Sequence, residues 1–142
     1  MNPQDQAAFM RRFLDRIWGE EAVDEIPDFI AERYDILNDP GDPWHEQTLD
    51  REGYRNRLVT SRSAFPDQRF QPVDILTAPD RIAVSWHWTG THAGDLPGFP
   101  ASGRPIRMTG ITVYGFDGRH LTSHWQSVDR LGVFMQLQGH SS

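Results

Sequence analysis

The sequence predicts an α+β domain in which a curved, mainly antiparallel sheet wraps around N-terminal helices, a cone-shaped α+β barrel. Apolar residues recur at helical spacing in the first third of the chain and alternate with polar ones after Arg69. Asp117-Gly118 joins two long alternating runs, as a hairpin turn does. Helices first and strands afterwards is the order of an α+β domain rather than of alternating βαβ units.

Phe9, Met10, Phe13, Leu14, Ile17 and Trp18 trace one face of a first helix that Gly19 can end. This stripe reads as core, and the alternative is that its aromatic groups line a ligand cavity. Pro27 sits where a helix can start, so PDFIAER forms a short second helix with Phe29 and Ile30 inward, and Tyr34 to Leu37 is extended. Asn38 to Trp44, NDPGDPW, is a turn cluster at the mouth of a concavity, with Trp44 either closing the core edge or facing a ligand. Asp50 caps a third helix that runs to about Ser63 and carries Tyr54, Leu58 and Phe65 on one face, and Pro66 stops it.

The strand Arg69 to Leu76 places Phe70, Pro72, Asp74 and Leu76 on one face, and its proline suits a sheet edge. Asp74 there either looks into a cavity or caps a neighbouring backbone group. From Arg81 to His92, Ile82, Val84, Trp86 and Trp88 oppose Ala83, Ser85, His87 and Thr89. Ala93 to Pro105 is an irregular loop rich in glycine and proline. In the hairpin from Ile106 to Val128, Met108, Gly110, Thr112 and Tyr114 share a face, as do His124, Gln126 and Val128. Trp125, Ile111 and Val113 point the other way. Apolar groups on both faces require two covers, helices on one side and a partner subunit on the other. The tail LGVFMQLQ is a short helix or a last strand segment.

At 142 residues the chain is one domain, 1–142. Its net charge of −6, without a basic run, argues against nucleic-acid or anionic-membrane partners. No cysteine is present, which removes disulfides, thiol nucleophiles and thiolate metal sites. The start MNPQDQ has no apolar leader and no stretch of apolar residues reaches 18 or so, so a soluble cytoplasmic protein is expected. Phosphate-loop, serine-hydrolase and zincin motifs are absent. His120 and His124, four apart on a strand, lie about 13 Å from each other and cannot share an ion, so neither metal nor other cofactor is expected.

What remains is acid/base chemistry in an apolar cavity. An unperturbed imidazole titrates near neutrality and His124 sits mid-strand, although a histidine bonded to a backbone carbonyl explains the same pattern.

AFPD at Ala64 to Asp67, DRIAV at Asp80 to Val84, GTHAG at Gly90 to Gly94, GFPASGRP at Gly98 to Pro105 and WQSVDRLG at Trp125 to Gly132 together resemble the SnoaL-like polyketide cyclase family of the nuclear transport factor two-like superfamily. The resemblance implies a deep apolar pocket and a homodimer joined through the outer sheet face. It also implies an aspartate acid/base just after the strand tryptophan, with a histidine two residues before it. His124 matches that histidine, while Gln126 stands at the aspartate position, and an amide exchanges no proton near neutral pH. Asn38 and Asn56 fall at pocket amides of those cyclases, and Thr112 faces His124.

The expected function is therefore cofactor-independent cyclisation or isomerisation of a hydrophobic, carbonyl-bearing substrate. His124 or Asp74 takes the proton, and Gln126, Asn38 and Thr112 bind the carbonyl oxygen. Trp44, Asn56, Trp86, Trp88, Met108 and Tyr114 complete the substrate contacts. Alternatives are a non-catalytic small-molecule binder, or water addition to an epoxide as in the related limonene-epoxide hydrolases with their Asp-Arg-Asp network. Arg107 is out of phase for that network.

Overall fold

The computed structural model describes residues 1–139. Helix α1 (Pro3–Phe13) is capped by Asn2, whose side chain accepts from the Asp5 N–H, and it runs into a π-helical segment, Leu14–Gly19. A short helix α2 (Ile26–Phe29) leads directly into strand β1 (Ile30–Asn38). Strand β2 (Thr48–Leu49), helix α3 (Arg51–Arg62, capped by Asp50), β3 (Arg69–Ala78), β4 (Arg81–Thr91), β5 (Pro105–Phe116), β6 (Leu121–Val128) and helix α4 (Arg130–Leu137) follow.

The six strands form one open sheet in the order β2-β1-β6-β5-β4-β3. All pairs are antiparallel except β1 with β6, which run parallel, and this single crossover sets Ile36 beside His124. The expected α+β architecture is thus observed, with four α-helices among the described residues and a mainly antiparallel sheet. The α1 stripe is core as read: Phe9, Met10, Phe13, Leu14 and Ile17 are buried. Phe13 meets Phe29 and Tyr114 at ring distances of 5.8 and 5.7 Å. Truncating a core phenylalanine of this kind costs about 3–5 kcal/mol.

Two local readings change and one open alternative is settled. The segment PDFIAER is helical only to Phe29, because Ile30 turns extended and pairs with Leu121 on β6. The strand pairing there outweighs the helical preference of Ala31 and Glu32. A bulge between Pro72 and Asp74 shifts the phase of β3, so Ile75 joins the core side while Asp74 and Leu76 are exposed. One extra residue moves every later side chain to the opposite face. The tail settles as helix α4, capped by the Asp129 side chain on the Gly132 N–H.

The strict alternation of β4 holds: Trp86 and Trp88 are buried and His87 is exposed. Gly110 on β5 makes room for this, since a Cβ there would lie 2.4 Å from the Trp86 ring. No helix among the described residues is long and apolar enough to cross a membrane.

Candidate active site

A cavity of about 460 Å³ opens between α3, the inner sheet face, the loop at Asp42 to Trp44 and the first turn of α4. Its walls are aromatic, with Trp18, Trp44, Phe70, Trp86, Trp88 and Tyr114 among them, and Met108, Leu96, Val128 and Val133 add aliphatic surface. Trp18 is thus both core and wall.

At the sheet end of the cavity His124 is 3% exposed. Its Nε2 lies 2.9 Å from Asp39 Oδ2 and its Nδ1 lies 2.8 Å from the Tyr34 hydroxyl. Parallel pairing of β1 and β6 brings Tyr34 alongside, and the turn that ends β1 returns the Asp39 carboxylate under the imidazole. That turn is held by the Asp42 N–H on the Asp39 carbonyl, 3.0 Å, and the Asp39 N–H on His45 Nδ1, 2.8 Å. Gly41 adopts φ +90°, and the Arg130 side chain passes so close over it that a Cβ would collide.

Asp39 is 1% exposed and collects four side-chain donors. Oδ2 accepts from His124, from Gln126 Nε2 at 2.8 Å and from Arg57 Nη2 at 3.1 Å; Oδ1 accepts from Arg130 Nη2 at 2.9 Å. Burial alone would raise its pKa, but the hydrogen bonds from His124 and Gln126 and the charge of Arg57 outweigh burial and hold it below the ordinary carboxylate value. An ionised carboxylate only accepts, so His124 carries its proton on Nε2 and offers the Nδ1 lone pair to the Tyr34 O–H. Burial holds the imidazole below its ordinary pKa against the pull of Asp39, and burial likewise keeps Tyr34 well above its own. At neutral pH the array is Tyr34–OH, neutral His124, Asp39 carboxylate.

The amide of Gln126 is oriented by its neighbours. Trp86 Nε1 donates to Thr112 Oγ1 at 2.9 Å, and Thr112 Oγ1 donates to Gln126 Oε1 at 2.9 Å, so the NH2 group must face Asp39. Gln126 occupies the place of the expected acid, and the carboxylate is supplied from the opposite side by Asp39.

The structure therefore brings together His124, Gln126, Thr112, Trp44, Trp86, Trp88, Met108 and Tyr114. All line the cavity except Thr112, which is buried behind Gln126 and Trp86. Three assignments are corrected. Asp74 is exposed because of the β3 bulge and takes no part in the cavity. Asn38 Nδ2 bonds the Gln126 backbone carbonyl at 3.3 Å, a strand-to-strand tie after the irregular register that follows Ile36. Asn56 is exposed on the other side of α3, in a shallow groove with Val23 and Arg51.

Tyr34, Asp39, Arg57 and Arg130 were not singled out by sequence reasoning. An arginine three residues after Tyr54 on an apolar helical stripe was the one available signal for Arg57. Asp39 was hidden because aspartate in a proline-glycine turn is explained by the turn itself.

The sequence pattern of the SnoaL-like polyketide cyclase family matches residues 8–137. The chain belongs to this family. A crystal structure of a “putative polyketide cyclase” from Acidithiobacillus ferrooxidans is 44% identical, with 94% of each chain covered and a TM-score of 0.90. IdmH, a “putative polyketide cyclase” from Streptomyces antibioticus, is 25% identical over 97% of this chain and 99% of that one, with a TM-score of 0.78. TsrD from Streptomyces laurentii shares the fold at 21% identity, a TM-score of 0.81 and coverage of 96% and 97%. No curated protein sequence matches the chain. Among the described residues of this SnoaL-like chain, no three His, Asp or Glu side chains are grouped as metal ligands would be.

Proposed function

We propose that this SnoaL-like protein is a cofactor-independent acid/base enzyme that moves a proton next to the carbonyl of a hydrophobic, polyketide-like substrate, leading to cyclisation or isomerisation. The observation that carries the reading is the hydrogen-bonded line Tyr34–His124–Asp39, all three side chains buried and the first two at the cavity wall. The family and the 44% identical “putative polyketide cyclase” support the general type.

In this reading the substrate C–H proton passes to the Tyr34 oxygen as the Tyr34 proton passes to His124 Nδ1. The carbon keeps the electron pair as an enolate, tyrosine stays neutral, and the imidazolium is stabilised by Asp39. A neutral imidazole is needed to begin and the burial of His124 keeps it neutral. The reverse transfer delivers the proton to a new atom. Ligand affinity and product formation across aromatic and terpenoid ketones test this: Tyr34→Phe and His124→Ala should each lower turnover about 10²–10⁴-fold with little loss of affinity.

One observation favours a second reading, water addition to an epoxide. Arg57 Nη2 lies 3.1 Å from both Asp39 Oδ2 and Asp42 Oδ2, an Asp-Arg-Asp arrangement built from residues other than Arg107. Hydrolysis of limonene epoxide with oxygen taken from labelled water would favour it over proton transfer.

A cytoplasmic location and a homodimer belong to the same proposal. Trp125, Ile111 and Val73 are 50–55% exposed on the outer sheet face, which supports burial against a second copy.

A further inference from the structure

Between α3 and β3 the chain passes Gln68, which is 3% exposed and lines the cavity. Its backbone N–H donates to the Phe65 carbonyl at 3.0 Å, and its side-chain Nε2 donates to the Trp18 carbonyl at 3.1 Å. The same carbonyl accepts from Arg62 Nε at 2.8 Å, while Arg62 Nη2 reaches the Gly19 and Pro66 carbonyls. One buried guanidinium thus ties together the segments that hold Gln68 in place.

A carbonyl only accepts, so the Gln68 amide can lie only one way round, with its NH2 group toward Trp18 and Oε1 away from it. Oε1 has no donor among the described residues. It is not sealed off either, because the side-chain polar atoms that are both sealed and unpartnered there are Arg57 Nε and His92 Nε2. The open surface of an atom on so deeply buried a wall residue is surface of the cavity. Its surroundings are apolar: Phe65 packs on Trp88 at 4.9 Å and Phe70 on Trp86 at 4.8 Å. An amide oxygen left dry among such groups loses the hydrogen bonds that water gave it in the unfolded chain.

Gln68 and His124 are not neighbours. Trp18 meets Tyr54 at 6.3 Å, Tyr54 meets Tyr34 at 5.1 Å and Tyr34 meets His124 at 5.6 Å, so a run of aromatic rings separates the two polar groups. A flat ligand whose carbonyl lies at Tyr34 and His124 can extend along these rings toward Gln68.

We propose that Gln68 determines specificity, its Oε1 accepting a hydrogen bond from a hydroxyl group that the substrate carries away from its reacting carbonyl. This rests on the reading of the cavity as the substrate site, and it adds a hydroxyl to the hydrophobic, carbonyl-bearing substrate named there. A ketone of the same shape without the hydroxyl leaves Oε1 dry and unpaired. A wall that bonds a hydroxyl discriminates against such an analogue more sharply than an apolar wall discriminates by size. A carboxylate or ether oxygen at the same place would set a second acceptor against Oε1.

The probes are 2-naphthol, uncharged at neutral pH, and 2-methoxynaphthalene, in which methylation removes the donor and keeps the rings and the oxygen. Calorimetry should show the wild type binding 2-naphthol about tenfold or more tighter than the ether. Gln68→Met keeps the length of the side chain and removes the acceptor, while the Trp18 carbonyl keeps Arg62 Nε; in this variant the preference should vanish or reverse. If the variant does not fold, the wild type decides: the Gln68 side-chain carbonyl carbon resonance should move downfield with 2-naphthol and stay in place with the ether. Equal binding of the two probes by the wild type, a preference that persists in Gln68→Met, an unmoved carbonyl resonance, or 2-naphthol that does not bind would overturn the assignment. Failure of the Tyr34–His124 proton path is a separate result, seen as ketone turnover that survives His124→Ala while the Gln68-dependent preference is intact.

Discussion

His124 and Asp39 stand 85 residues apart in sequence and 2.9 Å apart in space, and both are almost wholly buried. One comes from the hairpin that ends the sheet, the other from the turn that ends its first strand. Their meeting depends on the parallel β1–β6 pairing.

Asp39→Asn should be the most damaging single change at the site. It leaves Arg57 buried without one of its two counter-charges and removes the partner of Arg130. Breaking a buried pair in this way costs about 3–5 kcal/mol, which urea unfolding would show as a lower midpoint at unchanged slope.

Stability should fall on acidification in two steps. His124 is held below its ordinary pKa by burial, so as pH drops the unfolded chain binds that proton first, near 6.5, and stability declines from there down to the folded value. Asp39 is also held below its ordinary value; its contribution is full above the unfolded carboxylate pKa of about 4 and is lost as pH falls through the lower folded value. Thermal melts from pH 8 to 3 check this, and His124→Phe should abolish the upper step and shrink the lower one, because it also removes a hydrogen bond that holds the Asp39 carboxyl down.

Gln126→Asp restores the acid that the family resemblance places at this position, but here it would face Asp39, which the Gln126 amide now reaches at 2.8 Å. Aspartate is one methylene shorter than glutamine, but its charge would still stand close to the buried Asp39 carboxylate, so the variant should be less stable than the wild type by a margin that grows from pH 5 to pH 8. A constant margin would mean that the Asp39 turn moves away.

Much of this arrangement was legible in the sequence. The alternation of Trp86, His87 and Trp88 gave the wall of the cavity, and the hairpin placed His124 and Gln126 inward, because period-two patterning survives wherever one face is buried. Asp74 failed for a bulge that no residue type announces. Asp39, Arg57 and Arg130 failed because each is an ordinary turn or surface residue until tertiary structure closes over it. Tyr34 lay in a segment of which only a short extended stretch was recognised.

The outer sheet face predicts a dimer. Trp125→Glu should shift a dimer mass to a monomer mass by light scattering at micromolar concentration, since a charge placed beside Val113 and near Ile111 must be desolvated on pairing. A wild type that is already monomeric would refute the assembly.

A proton path from substrate carbon through Tyr34 to His124 can be read without knowing the natural product. Aromatic and terpenoid ketones incubated with the protein in D2O should gain deuterium at the carbon beside the carbonyl, followed by mass spectrometry. Tyr34→Phe and His124→Ala should each slow that exchange by about 10²-fold or more while still binding the same ketones. Exchange that proceeds at the wild-type rate in His124→Ala, or ketones that bind tightly to the wild type without ever exchanging, would exclude this path.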